Sequence, residues 1–193
     1  MKHYLDITLL PDPETPLYFL WEKVYQQLHL ALVAIKDPDN KVKIGVAFPH
    51  YDEAQHQLGC KLRLLAPTSE LLEKLNITQW LSRLSDYVHI SSIKAVPEKI
   101  TAYAVFKRIQ LKTNTARLAK RKAKRESITP QQALANLQGY QEKTSRLPYI
   151  YVNSQRTKQR YRLLIARIET SNTQITADFS CYGLSSTSPV PVF

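Results

Sequence analysis

HYLDITLLPDPETPLYFLWEKVYQQLHLALVAIK, residues 3–36, holds the two periodicities that decide the fold. In residues 3–9, Leu5, Ile7 and Leu9 alternate with Tyr4, Asp6 and Thr8. That period of two puts one face of a strand on a core. Pro11, Pro13 and Pro16 lack the amide that a strand ladder needs, so they end it. From Leu17 to Lys36 the period becomes helical, with Leu20, Val24, Leu28, Ala31 and Ile35 recurring at steps of 4, 4, 3 and 4. Pro38 and Asp39 stop this helix, and His29 falls at the margin of its apolar face, one position past Leu28.

Outward from there, VKIGVAF (42–48) and CKLRLLA (60–66) read as buried strands. SELLEKLN (69–76) reads as a short helix capped by Thr68, and TQWLSRLSDY (78–87) as a second one starting at Thr78. YVHISSIKAV (87–96) reads as a last strand. The order β-α-β-β-α-β over residues 1–96 is the ferredoxin-like, or RRM-like, plan, which hosts many functions. Beyond Pro97, TAYAVFKRIQL (101–111) is strand-like and Asn114 can cap a helix over 115–126. Thr129 with Pro130 starts another short helix, with Gly139 as its stop. PYIYVNS (148–154), QRYRLLIARI (159–168) and TQITADFSCYGL (173–184) read as strands, and the tail SSTSPVPVF as extended chain. The expectation is an α+β protein of two packed domains, 1–96 and 97–193, the second carrying strands and an arginine/lysine-rich helix.

Composition narrows the function classes. Of 193 residues 44% are hydrophobic, enough for a core, yet no apolar run approaches the ~18 residues of a membrane span. The N-terminal stretch, with Asp6 in it, does not read as a secretory signal. Cys60 and Cys181 are too few for a disulfide framework, and no Cys/His cluster has zinc-ligand spacing, so a cytoplasmic protein without metal or other cofactor is expected. Four glycines leave no Gly-rich loop to cradle a nucleotide phosphate. The net charge of +11 is unevenly placed: residues 1–94 carry −1 and residues 95–193 carry +12. Such asymmetry points to a polyanionic partner.

The charge concentrates between Lys107 and Arg125, where nine basic residues occur without an acid. On a helix, Arg117, Arg121, Lys124 and Arg125 share one face, while Ala116, Ala119 and Ala123 form a stripe of small residues suited to close packing. Leu118 alone cannot supply the apolar face of a membrane-surface helix, which leaves nucleic acid as the better partner. Upstream, Arg108 and Gln110 are two apart on an expected strand and would point to the same side. Arg reads guanine and Gln reads adenine through their groove edges, so the pair could read bases; it could equally be an exposed polar face. By themselves His29, Ser154 and Tyr182 read as a boundary histidine, a turn serine and a core or edge aromatic.

In combination these stretches resemble a known family, the CRISPR-associated repeat-processing endoribonucleases of type I-F systems. The resemblance runs collinearly through HYLDI at 3–7, LHLALV at 28–33, IGVAFP at 44–49 and LGCKLRL at 58–64. It continues through KRIQLKTN at 107–114, the basic helix, SQRTKQRYRLLI at 154–165, YGLS at 182–185 and PVPVF at 189–193. It implies a ferredoxin-like domain followed by an RNA-binding part. It also implies an enzyme that cuts a CRISPR repeat hairpin at the 3′ base of its stem without a metal, leaves a 2′,3′-cyclic phosphate, and stays on its product. By motif, His29 matches the catalytic histidine, Ser154 the active-site serine, and Tyr182 the tyrosine that positions the histidine. Arg108 and Gln110 match base readers, and Tyr161 an aromatic that stacks near the cut. Arg121, Lys124 and Arg125 match helix residues on the stem phosphates, with Lys112, Arg117 and Lys120 in the same basic stretch. The implied partners are the repeat stem-loop and the other subunits of a type I-F Cascade-type complex, the free protein being a monomer. A non-catalytic hairpin-binding subunit of the same fold remains the alternative, and a DNA-binding protein a more distant one.

Overall fold

A computed structural model describes residues 1–11, 13–111, 115–138, 144–154 and 158–193, and of Arg117 the backbone alone. The elements are β1 (His3–Leu9), α1 (Leu17–Ala34), β2 (Lys41–Val42), β3 (Gly45–Ala47), β4 (Lys61–Ala66), α2 (Ser69–Leu75) and α3 (Ile77–Trp80). After a 3-10 segment at Ser82–Tyr87 come β5 (Val88–Ile90), β6 (Lys94–Ala95), β7 (Ala102–Ile109), α4 (Thr115–Glu126) and α5 (Pro130–Ala135). The chain closes with β8 (Tyr149–Asn153), β9 (Arg160–Thr170), β10 (Phe179–Ser180) and β11 (Val190–Val192).

These elements form two compact units. One is Met1–Ile109 with Leu147–Phe193, and the other is Gln110–Arg146. The sequence reading drew a boundary at 96/97; the compact units divide elsewhere because β7, β8, β9 and β11 share a core with the N-terminal elements. Leu5, Val24 and Leu28 lie in one buried cluster with Phe106, Leu163, Ile165 and Val190. The Phe48 and Phe106 rings meet edge to face at 5.4 Å. Truncating a residue such as Leu28, which has no exposed surface, would cost about 2–5 kcal/mol.

In the first unit an antiparallel sheet runs β3-β4-β1-β5, with β6 also pairing β1. A second antiparallel sheet runs β11-β7-β9-β8. The period of two in β1 is realised, with Leu5, Ile7 and Leu9 buried. In α1, Leu20, Val24, Leu28 and Ala31 are buried as their spacing requires, joined by Trp21, Tyr25 and Leu32. Arg63, itself buried, makes a two-pronged bond to Asp6 at 2.7 and 2.9 Å and donates to the Phe193 carbonyl at 2.8 Å. That guanidinium ties the C-terminal strand to the first sheet.

Four readings are corrected. Residues 42–48 are not one strand: Val42 pairs with Phe179 while Gly45–Ala47 pairs with β4. A Cβ at Gly45 would lie 2.7 Å from the Phe179 ring, so the bend between the pieces needs glycine there. Of residues 173–184 only Phe179–Ser180 forms a strand; Ala177 (φ 53°) and Gly183 (φ 68°) turn the chain on either side. Residues 87–96 divide into β5 and β6, and the helix expected over 78–87 is α3 followed by the 3-10 segment.

The second unit pairs α4 with α5 through Ala119, Ala123 and Ala133, with Ile128 and Leu137 packed around them. The alanine stripe thus packs on α5, and Ala116 is exposed. Thr129 caps α5 with a reciprocal bond to Gln132, a pattern worth about 1 kcal/mol. The helix ends at Ala135; Asn114 and Gly139, expected as cap and stop, lie outside the described residues.

Candidate active site

The site grows from the last two turns of α1. His29 follows the fully buried Leu28 and is itself half-buried. Its Nδ1 lies 2.8 Å from the Cys181 carbonyl oxygen. A carbonyl only accepts, so Nδ1 carries the proton and Nε2 keeps the lone pair. The imidazole stacks on Tyr182 with ring centroids 4.1 Å apart and planes 3° from parallel. One bond and one stacked face fix both the tautomer and the ring plane.

The segment that supplies Cys181 and Tyr182 is held from several directions. The Ser180 N–H donates to the Leu184 carbonyl at 2.9 Å, and the Gly183 N–H donates to the Ser180 carbonyl at 2.7 Å. The Val46 N–H donates to the Gly183 carbonyl at 2.9 Å. Tyr25, one helical turn before His29 and without exposed surface, donates its hydroxyl to the Tyr182 carbonyl at 2.8 Å. The hydroxyls of Tyr161 and Tyr182 are 2.6 Å apart. Tyr161 sits opposite Val152 across the β8–β9 ladder, so the second sheet reaches the histidine through this pair of phenols.

Burial sets the protonation states. Burial lowers the His29 pKa below its ordinary value; the bond to Cys181 acts in the opposite direction, and the nearby Arg108 guanidinium lowers it further. The imidazole is therefore neutral at neutral pH. Burial first, then the Tyr161 hydroxyl, raises the Tyr182 phenol, which stays protonated. Burial likewise raises Tyr25. The Arg108 guanidinium carbon lies 5.2 Å from the Tyr161 ring centroid and 5.5 Å from that of Tyr182. Beside Tyr182 and Arg108 opens a cavity of about 520 Å³ lined also by Lys41, Lys107, Ser180 and Ser185. On this cleft Lys41, Lys107 and Arg108 outnumber the one acid, Asp178, and its Tyr182 stacks on the neutral imidazole, a combination that suits a phosphodiester whose neighbouring hydroxyl must lose a proton.

The structure brings His29, Tyr182, Tyr161 and Arg108 together. Ser154 is half-buried at the end of β8, its N–H donating to the Gln159 carbonyl at 3.0 Å. Its neighbour Asn153 is fastened to α1: the Asn153 N–H donates to Gln26 Oε1 at 3.1 Å, and its side chain donates to Glu22 at 3.2 Å. Gln26 is one turn before His29, so the β8 terminus that carries Ser154 is secured to the same stretch of helix. Gln110 lies beyond the end of β7 and begins the second compact unit, so no strand sets it on a common face with Arg108. Lys120, Arg121, Lys124 and Arg125 are exposed on α4, with Arg125 paired to Glu126 at 2.8 Å. Lys112 and the Arg117 side chain lie outside the described residues. Among the described residues, no group of three His, Cys, Asp or Glu side chains is placed to hold a metal ion, and no helix is long and apolar enough to cross a membrane.

Sequence reasoning missed Tyr25 and Cys181. Tyr25 follows the apolar spacing of α1 and reads as core. Cys181 acts through its backbone oxygen, which leaves no trace in residue type.

Comparison with known proteins bears on this geometry. The family profile described as CRISPR-associated protein (Cas_Csy4) matches residues 4–193. The chain is 36% identical to the "CRISPR-associated endonuclease Cas6/Csy4" of Pseudomonas aeruginosa (strain UCBPP-PA14) over 193 residues, covering all of both chains. It is 34% identical to the protein of the same description from Escherichia coli (strain UTI89 / UPEC), again over 193 residues and all of both chains. A solved structure described as "Characterization of a Cas6-related gene from Pyrococcus furiosus" aligns with TM-score 0.37 and 11% identity, over 100% of this chain and 99% of the other. Another, "An RAMP protein binding different RNA substrates", aligns with TM-score 0.33 and 11% identity over 100% of both.

Proposed function

The chain belongs to the Cas_Csy4 family of CRISPR-associated proteins, and on that premise we propose that it is an endoribonuclease that processes CRISPR precursor RNA with His29 as general base. The substrate is the repeat stem-loop, cut at the 3′ base of the stem. His29 Nε2 takes the proton of the 2′-OH beside the scissile phosphate, and that oxygen attacks phosphorus in line. The bond to the 5′-oxygen breaks, the 5′-oxygen takes a proton from solvent, and a 2′,3′-cyclic phosphate remains. The nucleophile belongs to the RNA, so the chemistry asks for positioning and proton transfer rather than a metal or cofactor. Ser154 orients the 2′-OH, Tyr182 holds the imidazole plane, and Arg108 offsets phosphate charge.

The observation that carries this reading is the imidazole itself, pinned through Nδ1 to Cys181, stacked on Tyr182 and kept neutral by burial. Its state fits a base, which leaves general-acid action as the weaker assignment. Exposed Lys120, Arg121, Lys124 and Arg125 suit stem phosphates, and exposed Gln110 suits a base edge. The sheet order β3-β4-β1-β5, with α1 after β1 and α2 and α3 after β4, supports the ferredoxin-like reading of the N-terminal part. We place the protein in the cytoplasm, monomeric when free, retained on the mature RNA within a type I-F Cascade-type complex.

The test is cleavage of the host repeat RNA in excess EDTA. The reading expects a cyclic-phosphate end on the upstream product, and no cleavage when the nucleotide 5′ of the cut carries deoxyribose. Binding without cleavage would favour a non-catalytic hairpin-binding subunit, and dependence on added divalent metal would remove the proposed mechanism.

A further inference from the structure

One seam in the first compact unit leads away from the junction of Asn153 with Glu22 described above. It runs along the edge strand β8 and the neighbouring helix α1. At one end, Asn153 and Arg160 both bond Glu22 on α1, Arg160 at 2.5 Å. Next along the hairpin, Tyr151 and Arg162 face each other across the ladder, and Tyr149 and Tyr151 lie on one side of β8. Their rings meet edge to face at 5.3 Å. The guanidinium of Arg160 lies 3.8 Å over the Tyr151 ring, and that of Arg162 lies 5.4 Å from the Tyr149 ring. Beyond Tyr149 is a cavity of about 270 Å³ walled by Tyr18, Trp21, His56 and Leu58.

This arrangement lacks the features of an ordinary core or an ordinary solvated face. Tyr18 is 68% exposed and Tyr149 42% exposed, although both are large aromatics. Arg162 is exposed beside them. Glu22, the acid within the seam, is already neutralised by Arg160. What remains outward is aromatic surface with the guanidinium of Arg162 beside it. Single-stranded nucleic acid is bound by that combination, because every base has a face to stack and every link a phosphate to neutralise. Guanidinium planes such as that of the exposed Arg162 also accept a base, and an aromatic-walled cavity accepts one that is splayed out.

Two lengths agree on where the seam leads. From Tyr18 to His29 along α1 is about 16 Å at the helical rise. From Tyr149 to Ser154 along β8 is about 17 Å at the strand rise. The seam therefore ends at the junction of Asn153 with Gln26, one helical turn from His29, and extends away from it by the reach of a few nucleotides. We propose that this tyrosine–arginine seam is a second RNA-binding surface, which takes the single strand running downstream from the scissile phosphate. The proposal rests on the endoribonuclease reading, since it needs a strand that leaves the site.

The experiment measures affinity for repeat stem-loop RNA with deoxyribose at the cut, either trimmed just past the scissile phosphate or carrying a downstream flank of roughly ten nucleotides. Wild-type protein should bind the flanked RNA about tenfold more tightly, the scale of one stacked base. Tyr149→Ala with Arg162→Gln should abolish that gain and keep wild-type affinity for trimmed RNA, which also reports that the variant is folded. Tyr18→Ala, on the helix side of the seam, should lose part of the gain. Equal wild-type affinity for both RNAs overturns the proposal, as does an equal loss on both in the variants. Wild-type cleavage of the all-ribose RNA is measured in parallel; if it fails, the function itself is wrong, whereas cleavage without a flank effect removes the seam alone.

Discussion

Replacing Tyr25 with Phe removes one oxygen atom from a side chain with no exposed surface. That oxygen donates to the Tyr182 carbonyl at 2.8 Å, and the Cys181 carbonyl one residue earlier fixes the His29 tautomer. A buried carbonyl left without its donor costs about 1–3 kcal/mol. Tyr182 is half-buried, so water recovers part of this, and about 1–1.5 kcal/mol is expected. For a chain of this size that lowers Tm by about 2–6 °C. The larger effect should be on chemistry. With the 181–183 backbone loosened, His29 loses a fixed proton position, and misplacement of about 1 Å can cost a hundredfold in rate. Single-turnover cleavage at saturating RNA should fall by about tenfold to a hundredfold while affinity is unchanged, with melting read by circular dichroism. If Tyr25→Phe melts earlier but cleaves like the wild type, Tyr25 is merely a core residue and the positioning argument fails. If melting does not change either, the bond contributes nothing.

Other consequences follow from the same geometry. Gly183→Ala would force a side chain into φ 68° with its Cβ 2.2 Å from Val46 Cγ2; stability should fall by about 2–4 kcal/mol, and cleavage with it, as read by urea unfolding and RNA assay. Because burial lowers the His29 pKa, the neutral base should persist below the ordinary imidazole value of about 6.5. The rate at subsaturating RNA, which reports the groups of the free protein, should then rise with pH to a plateau whose midpoint lies below that value; a rate that falls across this range would assign His29 as an acid. The same shift means the unfolded chain binds the proton more readily, so folded stability from this group is full above pH ~6.5 and declines below it. Arg121→Gln, on the exposed face of α4, should weaken binding to all stem sequences alike and reduce the slope of log affinity against log salt by about 1.

Local periodicity made much of the fold legible. Leu5, Ile7 and Leu9 fixed β1, and the 4-4-3-4 spacing fixed α1, because a strand or helix on one core leaves a regular mark. Residues 42–48 failed this reading because an apolar run does not reveal that Val42 and Gly45 meet different partners, Phe179 and Leu65. Residues 173–184 failed because Ala177 adopts a left-handed conformation that its residue type does not announce. At the site, Tyr182 and Ser154 emerged only through resemblance. The contact that fixes the His29 tautomer joins it to a backbone oxygen 152 residues away, and no pattern of side chains encodes it.

The most direct measurement is single-turnover cleavage of the repeat stem-loop by His29→Ala, at RNA saturation verified for that variant. Loss of a positioned base should slow the cut by about 10²–10⁴-fold while the hairpin is held as tightly as before. Cleavage at the wild-type rate by a protein that lacks this imidazole would contradict the account.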